Sequence, residues 1–167
     1  MLLSLNGNML FEFKPDSNIS NWRIVDDVVM GGRSEGNFFL SKDGVGVFTG
    51  NVSLENNGGF SSVRHRFEPI DVSPYSKVII TLKGDGKRYQ FRAKTSKYDR
   101  HSYITYFETT GEWQTLEIPL KDMYPSWRGM KLDMPNYPGE SMEEIAFLIA
   151  NYKAEQFRLE IKEISFN

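Results

Sequence analysis

Apolar and polar side chains alternate along much of this chain. In Tyr89–Thr95, Tyr89, Phe91 and Ala93 fall on one side, and Gln90, Arg92 and Lys94 on the other. A period of two is the mark of a strand that buries one face. Phe60–Phe67 sets Val63, His65 and Phe67 against Arg64 and Arg66. Trp113–Leu120 turns Leu116, Ile118 and Leu120 inward. Phe157–Phe166 alternates through Phe157, Leu159 and Ile161, then slips phase to Ile164 and Phe166. That slip predicts a β-bulge at Lys162-Glu163. Lys77–Lys83, rich in Val and Ile, reads as a buried strand, and Met9–Phe13, Trp22–Val25, Ser102–Glu108 and Ile145–Asn151 as further short ones. Phe38–Leu40 and Val45–Leu54 pair through Ser41-Lys42-Asp43-Gly44, because Asp-Gly suits a tight turn with positive φ; Val45, Val47 and Thr49 share a face.

Between these segments, Glu68–Tyr75 reads as a connector. Met123–Gly139, with three prolines and Trp127, reads as irregular. Ser141-Met142-Glu143-Glu144 has the spacing of a capped helical turn. Trp22 and Trp113 are assigned to the core. Eight to ten short strands with almost no helix predict an all-β fold, an antiparallel β-sandwich of the jelly-roll kind.

Composition narrows the picture. A chain of 167 residues is enough for one domain with a real core, so 1–167 is read as a single domain. Apolar residues make up 40% and aromatics 14%, which excludes general disorder. Twenty basic residues against 22 acidic ones leave a net charge of −2, without the basic footprint of a nucleic-acid binder or a polybasic membrane patch. The absence of cysteine excludes disulfides, thiolate nucleophiles and thiolate metal sites. Met1–Asn8 has neither the charged start and long apolar stretch of a signal peptide nor the arginines of a transit peptide. No apolar run approaches the ~20 residues of a membrane span. The expectation is a soluble, cytoplasmic protein.

The chain is organised around Trp22-Arg-Ile-Val-Asp26-Asp27-Val-Val-Met30-Gly31-Gly32-Arg33-Ser34, answered later by Gly58-Gly59-Phe60. Asp26 and Asp27 could ligate calcium, which takes six to eight oxygens, or act as an acid–base couple. The favoured reading is structural, since no third carboxylate follows at motif spacing: one aspartate accepts hydrogen bonds from loop amides and fixes the Met30-Gly31-Gly32 turn. Gly31, Gly32, Gly58, Gly59 and Gly84-x-Gly86 match no phosphate-binding pattern and are read as turn and close-packing glycines. His65 and His101 are read as strand or loop residues, not as bases or ligands.

Taken in order, Asp26-Asp27-Val-Val-Met30-Gly31-Gly32-Arg33-Ser34, Phe48-Thr49-Gly50, Asn56-Asn57-Gly58-Gly59-Phe60-Ser-Ser-Val-Arg64, Lys83-Gly84-Asp85-Gly86…Tyr89, Gly111-Glu112-Trp113-Gln114 and Ile118-Pro119 resemble the complex I intermediate-associated protein 30 family. The resemblance runs from Trp22 to the final strand. It implies a galactose-binding-domain-like jelly roll and, by similarity to its eukaryotic members, a role in assembling NADH:ubiquinone oxidoreductase.

The leading expectation is a non-catalytic binding module with a protein partner, acting as a scaffold or assembly factor. The alternative is a carbohydrate or small anionic ligand bound on the concave sheet face, with Arg64, Tyr89, Gln90, Arg92 and Trp127 as candidate ligand residues and Tyr106 as a further aromatic plate. Against both stands an ordinary solvated face whose arginines pair with Glu108 and Glu117. A hydrolase using Asp26, Asp27 or Glu108 ranks third. No cofactor and no metal are expected.

Overall fold

The computed structural model describes residues 8–167. The reading of Met1–Gly7 as neither signal nor transit peptide lies outside them. Thirteen strands form two antiparallel sheets: β1 (Met9–Glu12), β2 (Trp22–Asp26), β3 (Glu35–Leu40), β4 (Gly46–Val52), β5 (Ser61–Asp71), β6 (Lys77–Lys83), β7 (Arg88–Lys94), β8 (Ser102–Glu108), β9 (Trp113–Pro119), β10 (Tyr124–Trp127), β11 (Met130–Lys131), β12 (Ser141–Ile149) and β13 (Glu155–Phe166). One sheet runs β3-β4-β13-β6-β9, with β1 also on β13; the other runs β11-β10-β8-β7-β12-β5-β2. Among the described residues, helical structure is confined to 3₁₀ turns at Asp27–Met30, Glu55–Asn57 and Leu120–Asp122. No helix among the described residues is long and apolar enough to cross a membrane.

The alternation has its physical cause in the space between the sheets. Phe48, Ile80, Leu82, Leu159 and Ile161 point in from one sheet, and Val63, Phe91, Ile145 and Phe147 from the other, all essentially without solvent contact. The bulge falls where the phase slip placed it. The register of β13 against β6 shifts between Ile161 and Glu163, and the Lys162 carbonyl accepts from Phe13 N at 2.9 Å. The first half of β13 pairs with β4 and the second half with β1. The extra residue restores Ile164 and Phe166 to the core side.

Several local expectations give way to tertiary pairing. Ser141–Glu144 is the start of β12, not a helical turn, because Ser141 pairs with Asp71 and Glu144 with both Arg66 and Lys94. The connector after Phe67 remains strand through Asp71. The segment read as irregular contains the β10–β11 hairpin, whose turn residues Arg128 and Gly129 have φ of 51° and 77°. Positive φ at both central positions suits the twist of a two-residue hairpin. Lys77–Lys83 buries only alternate residues. Trp113 is 44% exposed at the start of β9, an edge strand, so it does not belong to the core. Trp22 does: its ring stacks on His65 at 4.5 Å and on Phe38 at 5.2 Å. His65 is thereby a packing residue, and burial lowers its pKa.

Candidate functional site

Two places concentrate polar chemistry. The first is the loop that follows β2. Asp27 is 1% exposed and accepts from Ser34 N at 2.9 Å, Ser34 Oγ at 2.5 Å, Gly59 N at 2.6 Å and Phe60 N at 3.2 Å. Burial alone would raise its pKa; the Ser34 hydroxyl and the Gly59, Ser34 and Phe60 amides outweigh this and hold it below the ordinary carboxylate value. Ser34 Oγ also accepts from Ser53 N at 2.9 Å, so one carboxylate and one hydroxyl join three segments. Asp26 accepts from Gly36 N at 2.8 Å and from Ser61 Oγ at 2.6 Å. The glycines leave room for these contacts. A Cβ on Gly32 would lie 2.4 Å from the Asp27 carboxyl, and one on Gly58 2.6 Å from its Oδ2. Gly31 and Gly59 have φ of 91° and 143°, a region that side chains disfavour. Among the described residues, no group of three or more His, Cys, Asp or Glu side chains could hold a metal ion.

The second place is the outward face of the seven-stranded sheet. Strand register sets Arg23 beside Arg64, Arg64 beside Ala146, Ala146 beside Arg92, Arg92 beside Ile104, and Ile104 beside Tyr124. Three arginines thus stand in one row across four strands, and the small Ala146 separates the two inner ones. The neighbouring row carries Ser62, Leu148, Gln90 and Tyr106. On the other side lie Arg66, Glu144 and Lys94, with Arg66 Nε donating to Glu144 Oε1 at 2.7 Å. Arg92 Nη1 donates to Gln90 Oε1 at 2.7 Å, and Lys94 Nζ to the Asp99 carbonyl at 2.5 Å. Burial, with Arg64 close by, pushes Arg92 down to about 10. Arg64 is lowered by burial as well, partly offset by Glu144 and reinforced by Arg66 and Arg23.

Of the residues expected to share a ligand face, Arg64, Gln90 and Arg92 do so. Tyr89 does not: it is 1% exposed on the core side of β7, and its hydroxyl donates to Asp85 Oδ1 at 2.8 Å. Alternation also puts Trp127 on the opposite side of β10 from Tyr124 and Ser126; its ring lies 4.9 Å from the Arg128 guanidinium. The carboxylate beside the arginines is Glu144, not Glu108 or Glu117. Glu117 sits on the other sheet, where it pairs with Lys77, and Glu108 lies at the far end of β8 opposite Arg88. Tyr106 is on the arginine face, but Arg88 covers its ring at 4.2 Å.

Sequence reasoning passed over Arg23, Ala146 and Glu144. A signal existed for Arg23: once Trp22 is assigned to the core, alternation sends its neighbour outward. Away from the row lie two shallow depressions. One, of about 510 Å³, is bordered by Asn37, Asp85, Lys87, Gln156 and Arg158; the other, of about 550 Å³, by Val28, Arg33 and Asn56.

The fold has solved counterparts. The family 11 carbohydrate-binding module from Clostridium thermocellum, in complex with a β-1,3-1,4-mixed-linked tetrasaccharide, superposes with a TM-score of 0.68 at 16% identity, covering 95% of this chain and 94% of that one. The family 11 module of the Clostridium thermocellum cellulase Lic26A-Cel5E gives 0.66 at 19% identity, with 95% and 92% covered. At these identities the likeness shows the jelly-roll fold. In sequence, the chain is 25% identical over 148 residues to "Complex I intermediate-associated protein 30, mitochondrial" of Drosophila melanogaster, covering 75% of this chain and 50% of that protein. It therefore spans about half the length of that relative. The sequence model of complex I intermediate-associated protein 30 matches residues 11–161, nearly the whole sandwich, and the chain belongs to that family.

Proposed function

We propose that this chain is a non-catalytic binding module that works through protein contacts, as a scaffold or assembly factor, with the outward face of the seven-stranded sheet as its contact surface. The observation that carries this reading is the arginine row. Arg23, Arg64 and Arg92 are aligned by strand register, and among the described residues none has a carboxylate within the 4.0 Å of an ion pair. Guanidinium groups without an ion-pair partner, two of them sharing the field of the single carboxylate Glu144, weigh against a merely solvated surface, where cross-strand charges tend to pair. Family membership supports a partner in an assembly intermediate, as the name of the Drosophila relative describes. The Asp26–Asp27 pair gives little support to hydrolysis, because four donors already occupy the buried Asp27 carboxylate.

Native electrophoresis of lysate from cells carrying the tagged chain tests the proposal. The chain should migrate in an assembly much larger than itself, containing respiratory-complex subunits identified by mass spectrometry. Migration at the mass of the free chain in actively respiring cells would argue against it.

A second reading, binding of a carbohydrate on the same face, is favoured by the fold shared with a module solved around a tetrasaccharide. Calorimetry with that mixed-linked tetrasaccharide separates the two. Heat of binding that vanishes in an Arg92→Gln variant would favour the sugar.

A further inference from the structure

We propose that the arginine row receives an extended acidic segment of the partner protein, whose carboxylates are held by Arg64 and Arg92 on either side of Ala146 and by Arg23 beyond them. The inference rests on the protein-contact reading above and adds the chemistry of the contact. Its first support is charge. The chain as a whole is net −2, yet strand positions on this face present Arg23, Arg64, Arg66, Arg88, Arg92, Lys94 and Lys131 against Glu68, Asp71, Glu108 and Glu144, and of these carboxylates only Glu144 lies beside the row. Glu144 is occupied by Arg66 and is 2% exposed. Glu144 alone answers Arg64, Arg66, Arg92 and Lys94, so cations outnumber anions where the guanidinium groups are densest, and arginine forks match carboxylates in a bidentate geometry.

The shape of the face is the second support. Ala146, Leu148 and Ile104 point outward yet are 3%, 7% and 3% exposed, so the long side chains lie over an apolar floor instead of walling a deep cleft. A floor of this kind suits a ligand laid across it. Neighbouring strands are ~4.8 Å apart, so the row from Arg23 on β2 to Arg92 on β7 covers ~14 Å. At ~3.3 Å per residue, about four to five extended residues span that distance.

The aromatic plates decide between a peptide and a glycan. A pyranose ring packs well on an open aromatic face. Here Arg88 lies over Tyr106 at 4.2 Å, Lys131 lies over Tyr124 at 5.3 Å, and Tyr89 is buried in the core. The two plates on this face are covered by cations that extend the positive surface. An acidic peptide uses those cations where they stand; a sugar has to displace them.

The test uses the intact chain and a fluorescein-labelled oligoglutamate peptide, followed by anisotropy at low ionic strength. Oligoglutamine serves as the uncharged comparison, oligogalacturonate as the anionic glycan, and Arg158→Gln on the other sheet as the control variant. Oligoglutamate should bind, oligoglutamine should not, and added sodium chloride should weaken the complex. Arg64→Gln with Arg92→Gln should weaken it by about tenfold or more, the loss of two charge-assisted contacts, while Arg158→Gln stays near wild type. Thermal melts report whether the double variant is folded. If it is not, arginine Nε–H resonances of the wild-type chain take its place: those of Arg64 and Arg92 should shift on titration. Tighter binding of oligogalacturonate than of oligoglutamate, or equal losses from the row and the control, would overturn the inference. So would unshifted Arg64 and Arg92 resonances. A folded double variant that keeps the assembly of the wild type in native electrophoresis overturns the acidic-segment contact but not the protein-contact reading. A wild-type chain that binds oligoglutamate through the row, yet enters no assembly, overturns that reading instead.

Discussion

Asp27→Ala should destabilise the fold by about 3–5 kcal/mol. The wild-type carboxylate accepts from Gly59 N, Phe60 N, Ser34 N and Ser34 Oγ at 2.5–3.2 Å, in a site 1% exposed. A buried donor left without an acceptor costs about 1–3 kcal/mol. Four such losses do not add in full, because the Ser34 hydroxyl can turn to another acceptor and water can enter the vacated space. For a chain of this size each kcal/mol lowers Tm by about 2–4 °C, so differential scanning calorimetry in chelator should show a drop on the order of 10 °C. The effect should depend on pH. The Asp27 pKa lies below the ordinary value of 3.8 in the folded state, so its stabilisation is complete above that value and fades as pH falls through the folded pKa. The gap between wild type and Asp27→Asn should therefore be widest near neutral pH and close in acid. A Tm within about 2 °C of wild type in chelator would refute the reasoning. So would a loss that appears only when calcium is present, which would make the loop a cation site.

Three further outcomes follow from contacts in the same structure. Gly32→Ala sets a Cβ 2.4 Å from the Asp27 carboxyl and should cost about 1–3 kcal/mol in a chemical melt; a neutral result would mean that the loop relaxes freely. Trp22→Ala, in the aromatic cluster, should cost about 3–5 kcal/mol, whereas Trp113→Ala, 44% exposed on an edge strand, should cost under about 1 kcal/mol; equal losses would contradict the placement of both rings. Glu144→Gln removes the carboxylate that pairs with Arg66 beside Arg64 and Lys94, and should lower stability by about 2–4 kcal/mol, read from urea midpoints; an unchanged midpoint would show that solvent screens the cluster.

The sandwich was legible because its signal is local. Each strand's inward residues are two apart, and even the β13 bulge announces itself as a phase slip between Ile161 and Ile164. Parity also put Arg64 and Arg66 on one face of β5, and Gln90, Arg92 and Lys94 on one face of β7. It could not give the row. Arg64 and Arg92 flank each other only because β12, more than fifty positions beyond β7, inserts Ala146 between them. The same long-range pairing overrode the capping pattern at Ser141–Glu144, since a helical turn there would strip Arg66 and Lys94 of Glu144. Trp113 and Trp22 have similar local sequence claims to burial; what separates them is whether the strand lies at a sheet edge, and one chain's sequence does not mark its edges. Tyr89 differs for another reason: an aromatic ring suggests a binding plate, yet its alternation with Phe91 and Ala93 sends it inward.

The arginine row is where local stability and sequence disagree most, and that disagreement can be measured. Arg64 and Arg92 stand two strand spacings apart, ~10 Å, so their mutual repulsion is about 1–2 kcal/mol at an effective dielectric near 20, and less in salt. Burial adds to the cost, and it is the largest cause of the lowered pKa of each. Arg92 recovers one hydrogen bond to Gln90, at 2.7 Å. Arg92→Gln should therefore fold with a Tm equal to or a few degrees above wild type. The lowered folded pKa of Arg92 fixes the pH dependence. From about 10 up towards the ordinary arginine value, the unfolded chain binds more protons, so wild-type stability gains as pH rises through that window. The variant lacks that gain, and the two melting curves should converge in alkali. A Tm for Arg92→Gln more than about 4 °C below wild type at neutral pH would make the arginine a structural residue. A neutral or raised Tm, combined with lost binding of an acidic segment, is the pattern of a group retained against stability for the sake of contact.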